Sequence, residues 1–169
     1  MREDKAKIEN LVLHFGNVGM LHLGKKKLAK LVYFVDFTSY EMLNHPITGL
    51  KYEKRQYGPM PVAKIYYKYL NNLESSGKIK IGPPNEDKRP QSIISLQEPD
   101  YSVFDEEEKK IIFDLTDKFK HQLAGEVESL AKAEPPYKMV KEGEEIPYHL
   151  AFYRNSFDEV TLDEENSST

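Results

Sequence analysis

The 169-residue sequence contains no cysteine, which excludes disulfides and thiolate metal sites and fits a reducing cytosol. No apolar stretch reaches the roughly 20 residues that a membrane-spanning helix needs. The charged residues 1–5 are not followed by the apolar run of a signal peptide. No glycine-rich segment precedes a Lys-Ser or Lys-Thr pair, so a phosphate-binding loop is not indicated. These absences predict a cytoplasmic protein that does not interact with membranes.

Catalytic groupings are also scarce. The five histidines are scattered, and none lies at metal-ligand spacing from another. They are His14, His22, His45, His121 and His149. Residues 8–15 have the apolar spacing of a first helix, and His14 and His22 fall at predicted helix ends, where structural histidines are common. The serine pairs lack a neighbouring base. We therefore expect no enzymatic activity, no cofactor and no metal.

Charge divides unevenly along the chain. Residues 1–90 carry 16 Lys and Arg against nine Asp and Glu, whereas residues 91–169 carry eight against 19. This division fits a polar fold with an acidic end, or a basic face that meets an acidic partner or nucleic acid. Only three arginines lie in the first half, and the pI near 5.8 argues against nucleic acid.

The most apolar part of the chain begins after Gly24. Leu28, Leu31, Val32 and Val35 recur at helical spacing, and aromatic residues cover much of the remaining circumference. A helix that is apolar nearly all round belongs in the middle of a domain. The lysines at 25–27 oppose the helix dipole, which indicates either a solvated first turn or an anionic partner surface.

Asp36 is the one acid inside this apolar helix. A buried carboxylate must be paired, hydrogen-bonded or protonated, because desolvating a bare charge is too costly. We expect partners in the next segment: Arg55, Lys54, Tyr57 or the amides near Gly58. Asp36 would then anchor that segment to the helix, although a carboxylate aimed at a partner is the alternative.

A turn and a second helix follow. Pro46 and Gly49 indicate a turn at 44–49, and residues 50–57 read as a short strand. Pro59 and Pro61 suit the first turn of a helix, and the apolar spacing over 62–73 predicts that helix, with Gly77 as its C-terminal cap.

Beyond Gly77 the period changes. Residues 78–81 and 91–96 alternate in polarity and predict two antiparallel strands around a long mobile tip. Helix, strand, helix and hairpin is also the order of a winged-helix DNA-binding module. A winged-helix-like DNA-binding regulator is therefore the alternative function.

The second half is predicted to be helical. Acids at 105–108 suit a helix start. Two buried stripes follow: Ile111, Ile112, Leu115 and Phe119, then Leu123, Val127, Leu130 and Ala131. Pro135 and Pro136 end the second of these helices, and residues 146–148 anchor a partly irregular end that adds a short closing helix. Together the patterns predict a mainly helical α+β fold with a central apolar helix and a small antiparallel hairpin. Residues 1–157 form a single domain, and residues 158–169 form an acidic disordered tail.

Several of these segments together resemble the Panacea domain, the family of SocA-like antitoxins and phage-associated proteins. The residues that carry the resemblance are Lys30-Leu31, Tyr33-Phe34-Val35-Asp36, Pro46-Ile47-Thr48-Gly49 and Tyr57-Gly58-Pro59, with Ile146-Pro147-Tyr148 later. One departure is that Ala131-Lys132-Ala133-Glu134 stands near the place where family members often carry a serine-histidine pair. No histidine role is therefore carried over to this chain.

The resemblance implies a protein that neutralises a toxin through protein contact, or that adapts the toxin to a protease. The expected partner is a cognate toxin encoded nearby, with a protease or chaperone as a further candidate; the oligomeric state stays open. Aromatic and arginine side chains anchor many interfaces. The motif and partner-binding candidates are Asp36, Tyr40, Tyr52, Arg55, Tyr57, Gly58 and Pro59, and Tyr66, Tyr67 and Tyr69 are further tyrosine candidates.

Overall fold

Residues 2–82 and 92–154 are described by this computed structural model, and they confirm the predicted mainly helical α+β fold. The helices are α1 (Lys5–Asn17), α2 (Lys25–Leu43), α3 (Ala63–Ser75), α4 (Glu106–Phe119), α5 (Ala124–Lys132) and α6 (Pro135–Lys138). The strands are β1 (Tyr52–Arg55), β2 (Gly58–Pro61), β3 (Ile79–Ile81) and β4 (Ile93–Ser95). Two short 3₁₀ helices span Tyr101–Val103 and Tyr148–Phe152.

Helix α2 is the centre of the fold, as its apolar circumference predicts. Every residue from Lys27 to Phe37 is buried, and so is Ser39. Helices α1, α4 and α5, strand β2 and the 3₁₀ helix Tyr148–Phe152 all pack against it. The helix ends where Asn44 adopts the left-handed conformation and donates its amide to the Tyr40 carbonyl.

Strands β1 and β2 form a tight hairpin, with Arg55 opposite Gly58 and a two-residue loop between them. The prediction that Pro59 and Pro61 begin a helix is wrong, since both lie in β2 and α3 begins at Ala63. They face Lys54 and Tyr52 in the register. The backbone groups of Lys54 and Tyr52 form their hydrogen bonds on the side of β1 away from β2. The prolines lack an N–H donor, but no hydrogen bond between β1 and β2 is lost at these positions.

The outer edge of β1 is covered by residues 143–146. The Lys54 amide donates to the Glu144 carbonyl at 2.9 Å, and the Gly143 amide donates to the Lys54 carbonyl at 2.7 Å. The Ile146 amide donates to the Tyr52 carbonyl at 2.8 Å. Ile146 is buried, which agrees with the predicted anchoring role of residues 146–148, and the closing helix is the 3₁₀ helix Tyr148–Phe152.

The second hairpin is as predicted, because β3 and β4 pair antiparallel with Ile79 opposite Ser95. Strand β4 packs on α1, where the Ser95 hydroxyl donates to the Leu13 carbonyl at 2.6 Å. The predicted mobile tip falls almost entirely within residues 83–91, which are outside the described residues. The same holds for residue 91, the first residue of the second predicted strand. Gly77 has a φ of +76° just after α3, consistent with its predicted capping role.

The helices of the second half agree with prediction except on one stripe. Helix α4 begins with a reciprocal capping box between Asp105 and Glu108, and its predicted stripe is buried. At α5, however, Leu130 and Leu123, the residue before the helix, are about half exposed, because this short helix turns only the face of Val127 and Ala131 towards α2. The predicted acidic tail 158–169 lies outside the described residues. None of the helices within 2–82 and 92–154 has the length and apolarity to cross a membrane.

Candidate partner-binding site

Asp36 is fully buried, as predicted, but its partners differ from those predicted. Its Oδ1 accepts hydrogen bonds from the amides of Ile47 and Thr48 at 2.9 and 2.7 Å. Its Oδ2 accepts from the Thr48 hydroxyl and, at 2.5 Å, from the Tyr52 hydroxyl. Asp36 therefore fixes the turn at 46–49 and the start of β1 onto the central helix.

The predicted pairing of Asp36 with Lys54, Arg55, Tyr57 or the amides near Gly58 is wrong. Tyr52, the first residue of β1, contacts Asp36, whereas the predicted partners lie further along the strand or in the hairpin beyond it. Arg55 instead pairs with a glutamate of its own strand. The sequence indicated a buried acid that needs donors, but the nearer turn supplies them.

Burial raises the pKa of Asp36, and the hydrogen bonds donated by Thr48, Tyr52 and the Ile47 amide oppose that rise. Burial likewise raises the pKa of the Tyr52 hydroxyl, and the Asp36 charge adds to the rise. The Tyr148 hydroxyl donates to the Leu50 carbonyl and lies 3.5 Å from Asp36 Oδ2. Asp36 and Tyr52 lie in the interior, so any influence on a partner would act through the shape of the turn.

The remaining tyrosine candidates divide between core and surface. Tyr66 is buried and donates to the Lys25 carbonyl at 2.7 Å. Tyr40 is half-buried and stacks on Tyr148, with ring centroids 5.5 Å apart. Tyr67 and Tyr69 are half-exposed on α3.

A second buried charge, Lys30, was not predicted to have a role. Its side chain is 1 % exposed, and within the described residues its Nζ has no hydrogen-bond partner. The ammonium lies 4.8 Å from the ring centroid of Tyr57, and Lys26 Nζ lies 5.2 Å from the same centroid. Gly58 packs directly against the Lys30 stem. A lysine inside the apolar run 28–37 was the available signal in the sequence.

The charges around Lys30 are mostly positive. Burial lowers the pKa of Lys30 to about 8, Glu128 acts against this, and Lys26 and Lys132 add to it. We call this cluster the Lys30 site. It comprises Lys26 and Lys30 of α2, Tyr57 and Gly58 of the β1–β2 hairpin, and Glu128 and Lys132 of α5. The site therefore holds three lysines against one glutamate.

The solvated first turn expected for residues 25–27 is wrong at Lys27. This lysine is buried, and its Nζ donates to the carbonyls of Leu21 and Gln122, the latter at 2.5 Å. These two acceptors satisfy its ammonium in the interior, unlike that of Lys30.

His14 is the structural histidine that its position predicts. Its ring nitrogens lie 2.7 Å from the Tyr101 hydroxyl and 2.8 Å from the Thr116 hydroxyl, and burial lowers the pKa of His14 to about 4.

Within the described residues, His45 lies close to Asp105 and Glu108, and the three form a potential metal-binding group. Glu108 already accepts from Lys7 Nζ at 2.8 Å and completes the α4 capping box with Asp105. These bonds give the two acids a structural role.

A separate apolar groove lies on another side of α5. Its volume is about 670 Å³, and Leu130 of α5 and Met139 line it, both more than 40 % exposed. Tyr153 and Arg154 form another part of its wall. Arg154 is held by Glu134 at 2.9 Å and Glu41 at 3.5 Å. The sequence placed Leu130 in the core, so this groove was not predicted.

These features define the chain as a mainly helical α+β domain built round one buried helix, with an apolar groove and a buried cation on different sides of α5. The chain belongs to the antitoxin SocA-like, Panacea domain family, whose family model matches residues 28–138. The match runs from α2 through α6 and confirms the resemblance found in the sequence. Comparisons with curated proteins and with solved structures gave no match.

Proposed function

We propose that this protein is an antitoxin that binds a cognate toxin and neutralises it by protein–protein contact. The observation that carries the proposal is the match of residues 28–138 to an antitoxin family. The toxin is encoded nearby, and both proteins act in the cytoplasm.

The apolar groove supports this function by offering a contact surface. Leu130, Met139 and Tyr153, which line it, are all between 40 % and 50 % exposed. Apolar patches of this kind on a soluble domain mark sites of protein association. Tyr and other large apolar side chains also dominate the binding energy of interfaces. We place the toxin contact on this groove.

Neutralisation can follow either of two routes once the toxin is bound. In the first, the bound domain blocks the toxin surface directly. In the second, the protein is an adaptor that presents the toxin to a protease or chaperone, and the acidic residues 158–169 serve as the handle. The two routes differ in whether toxin disappears from the cell.

The test is co-expression with the product of the adjacent reading frame. We expect the full chain to restore growth and to co-purify with that product. A chain with Leu130→Asp and Met139→Asp should lose both effects, because two charges would enter the apolar contact. Ile94→Asp is the matched control, since Ile94 is 51 % exposed on β4, outside the groove.

Residues 158–169 separate the two routes. A chain of residues 1–157 should still neutralise the toxin if blocking suffices, and toxin levels should stay constant in an immunoblot. Loss of neutralisation and of toxin degradation in this shortened chain would identify the adaptor route. Failure of the intact chain to restore growth with any adjacent gene product would refute the antitoxin assignment.

A further inference from the structure

The ammonium of Lys30 is in an unfavourable position for an isolated protein. It is buried, and no described group accepts a hydrogen bond from it. It is compensated by the Glu128 charge, without a hydrogen bond, and by the face of the Tyr57 ring, a cation–π contact that is worth less than a charge-assisted hydrogen bond. A buried charge without a hydrogen-bond acceptor is costly, so a lysine is favoured at this position only if a group from outside the domain pairs with it.

The groups around this ammonium indicate which kind of ligand could pair with it. Lys26, Lys30 and Lys132 outnumber Glu128, and the two α2 lysines both lie over Tyr57. An anion would be attracted by this excess and would supply the acceptor that Lys30 lacks. Space there is limited, because a Cβ at Gly58 would lie within 4 Å of Lys30, Glu128 and Lys132, and this disfavours a bulky group.

The ring of Tyr57 covers the Lys30 ammonium. Tyr57 occupies the two-residue loop of the β1–β2 hairpin and is only half-buried. Among residues 2–82 and 92–154, no hydrogen bond holds its hydroxyl, and its ring is held by the two lysines below. Rotation of this side chain would uncover Lys30 without breaking a backbone bond.

We propose that the Lys30 site receives the carboxylate of an Asp or Glu side chain of the bound partner protein, with Tyr57 moving aside to admit it. This inference rests on the proposed function, because the toxin supplies the acid. Helix α5 contributes to both surfaces, but from different sides: Glu128 and Lys132 flank Lys30, whereas Leu130, about 200° round the helix from Glu128, lines the apolar groove. A partner would therefore have to reach both sides of α5 to fill the groove and pair with Lys30 together.

The first experiment measures the isolated full chain. Lys30→Met keeps the length of the side chain and removes the unpaired charge, so the unfolding midpoint should rise by about 4 °C at pH 7. Lys64→Met is the control, an equivalent change at an exposed lysine of α3, and should leave the midpoint unchanged. A lower midpoint for Lys30→Met would show that the amine stabilises the fold and would overturn the proposal.

The second experiment is co-expression with the adjacent gene product. The Lys30→Met chain should be folded, more stable and at least tenfold weaker in binding that product, whereas Lys64→Met should bind like the intact chain. Equal binding by Lys30→Met would overturn the proposal while leaving the antitoxin assignment intact.

The third experiment needs no toxin, so it is decisive even if the proposed function fails. The Lys30 side-chain resonances of the labelled full chain are followed during titration with sodium acetate at constant ionic strength, with sodium chloride as reference. A saturable shift that is absent in chloride supports a carboxylate site, and no shift overturns it. A stronger response to sodium phosphate than to acetate would identify a phosphate site instead and would refute the partner carboxylate.

Discussion

Gly58 lies so close to Lys30 that a Cβ at Gly58 would stand 2.8 Å from the Lys30 Cε. Gly58 also has a φ of +111°, a conformation that other residues adopt only with strain. The Tyr-Gly-Pro motif therefore requires its glycine for two reasons, one set by the hairpin backbone and one set by the lysine beneath it.

Gly58→Ala should consequently destabilise the fold by about 2 kcal/mol, through backbone strain and displacement of the Lys30 stem. The measurement is urea unfolding followed by circular dichroism. Gly125→Ala is the matched control, because Gly125 lies in α5 with open space around it and an ordinary φ. That control should be neutral or stabilising by about 0.5 kcal/mol. Equal stability of the Gly58→Ala chain and the intact chain would contradict this account.

Asp36→Ala should destabilise the fold by about 3 kcal/mol, because it leaves the buried donors of Ile47, Thr48 and Tyr52 without an acceptor. Denaturant unfolding of the variant gives this difference directly. Asp114→Ala, on the exposed face of α4, removes only a surface ion pair and should change stability by less than about 1 kcal/mol. Similar losses from the two variants would be inconsistent with an anchoring role for Asp36.

His14 should make the fold sensitive to mild acid. Its pKa in the folded chain is about 4, below the ordinary 6.5, so the folded state favours the neutral ring. The stability that this preference confers is fully present above pH 6.5 and is lost as pH falls towards 4, a change of about 3 kcal/mol.

Unfolding free energies of the intact chain and of His14→Gln, measured between pH 7 and 4, test this expectation. The difference between the two chains should depend on pH over that window. His121→Gln, at an exposed histidine, should follow the intact chain at every pH. A His14 ring that titrates near 6.5 in the folded protein by NMR would disprove the expectation.

Duplex DNA should bind only weakly, with a dissociation constant above about 1 μM in physiological salt and no operator preference. The reason is the overall charge of −4, with few arginines to contact phosphates. A mobility-shift assay of the full chain against its own promoter region measures this. Binding at nanomolar protein would favour the winged-helix-like regulator instead.

Local patterns in the sequence were sufficient for the central helix and for the β3–β4 hairpin. Helix α2 has its apolar residues at regular spacing, and the alternation of β3 and β4 is visible in each strand alone. Strand β2 was missed because its prolines read as a helix start. Only the pairing with β1 shows that the positions of Pro59 and Pro61 require no donor.

The site was harder to predict because its geometry depends on contacts distant in sequence. The sequence predicted that Asp36 needs hydrogen-bond donors. Whether the turn at 46–49 or the hairpin loop supplies those donors depends on where β1 crosses α2. The isolation of Lys30 depends on α5, nearly 100 residues away. Leu130 was assigned to the core because a nine-residue helix shows too few turns to fix its buried face.

Residues 143–146 close the outer edge of β1 to further strand pairing. A two-stranded hairpin presents backbone groups on each outer edge, and a free edge can recruit another chain as an additional strand. Here the segment that shields β1 lies beyond residue 138, where the family match ends. A chain cut after Lys138 would expose the Tyr52 carbonyl together with the amide and carbonyl of Lys54. We expect that shortened chain to form oligomers in light scattering, through strand addition at β1.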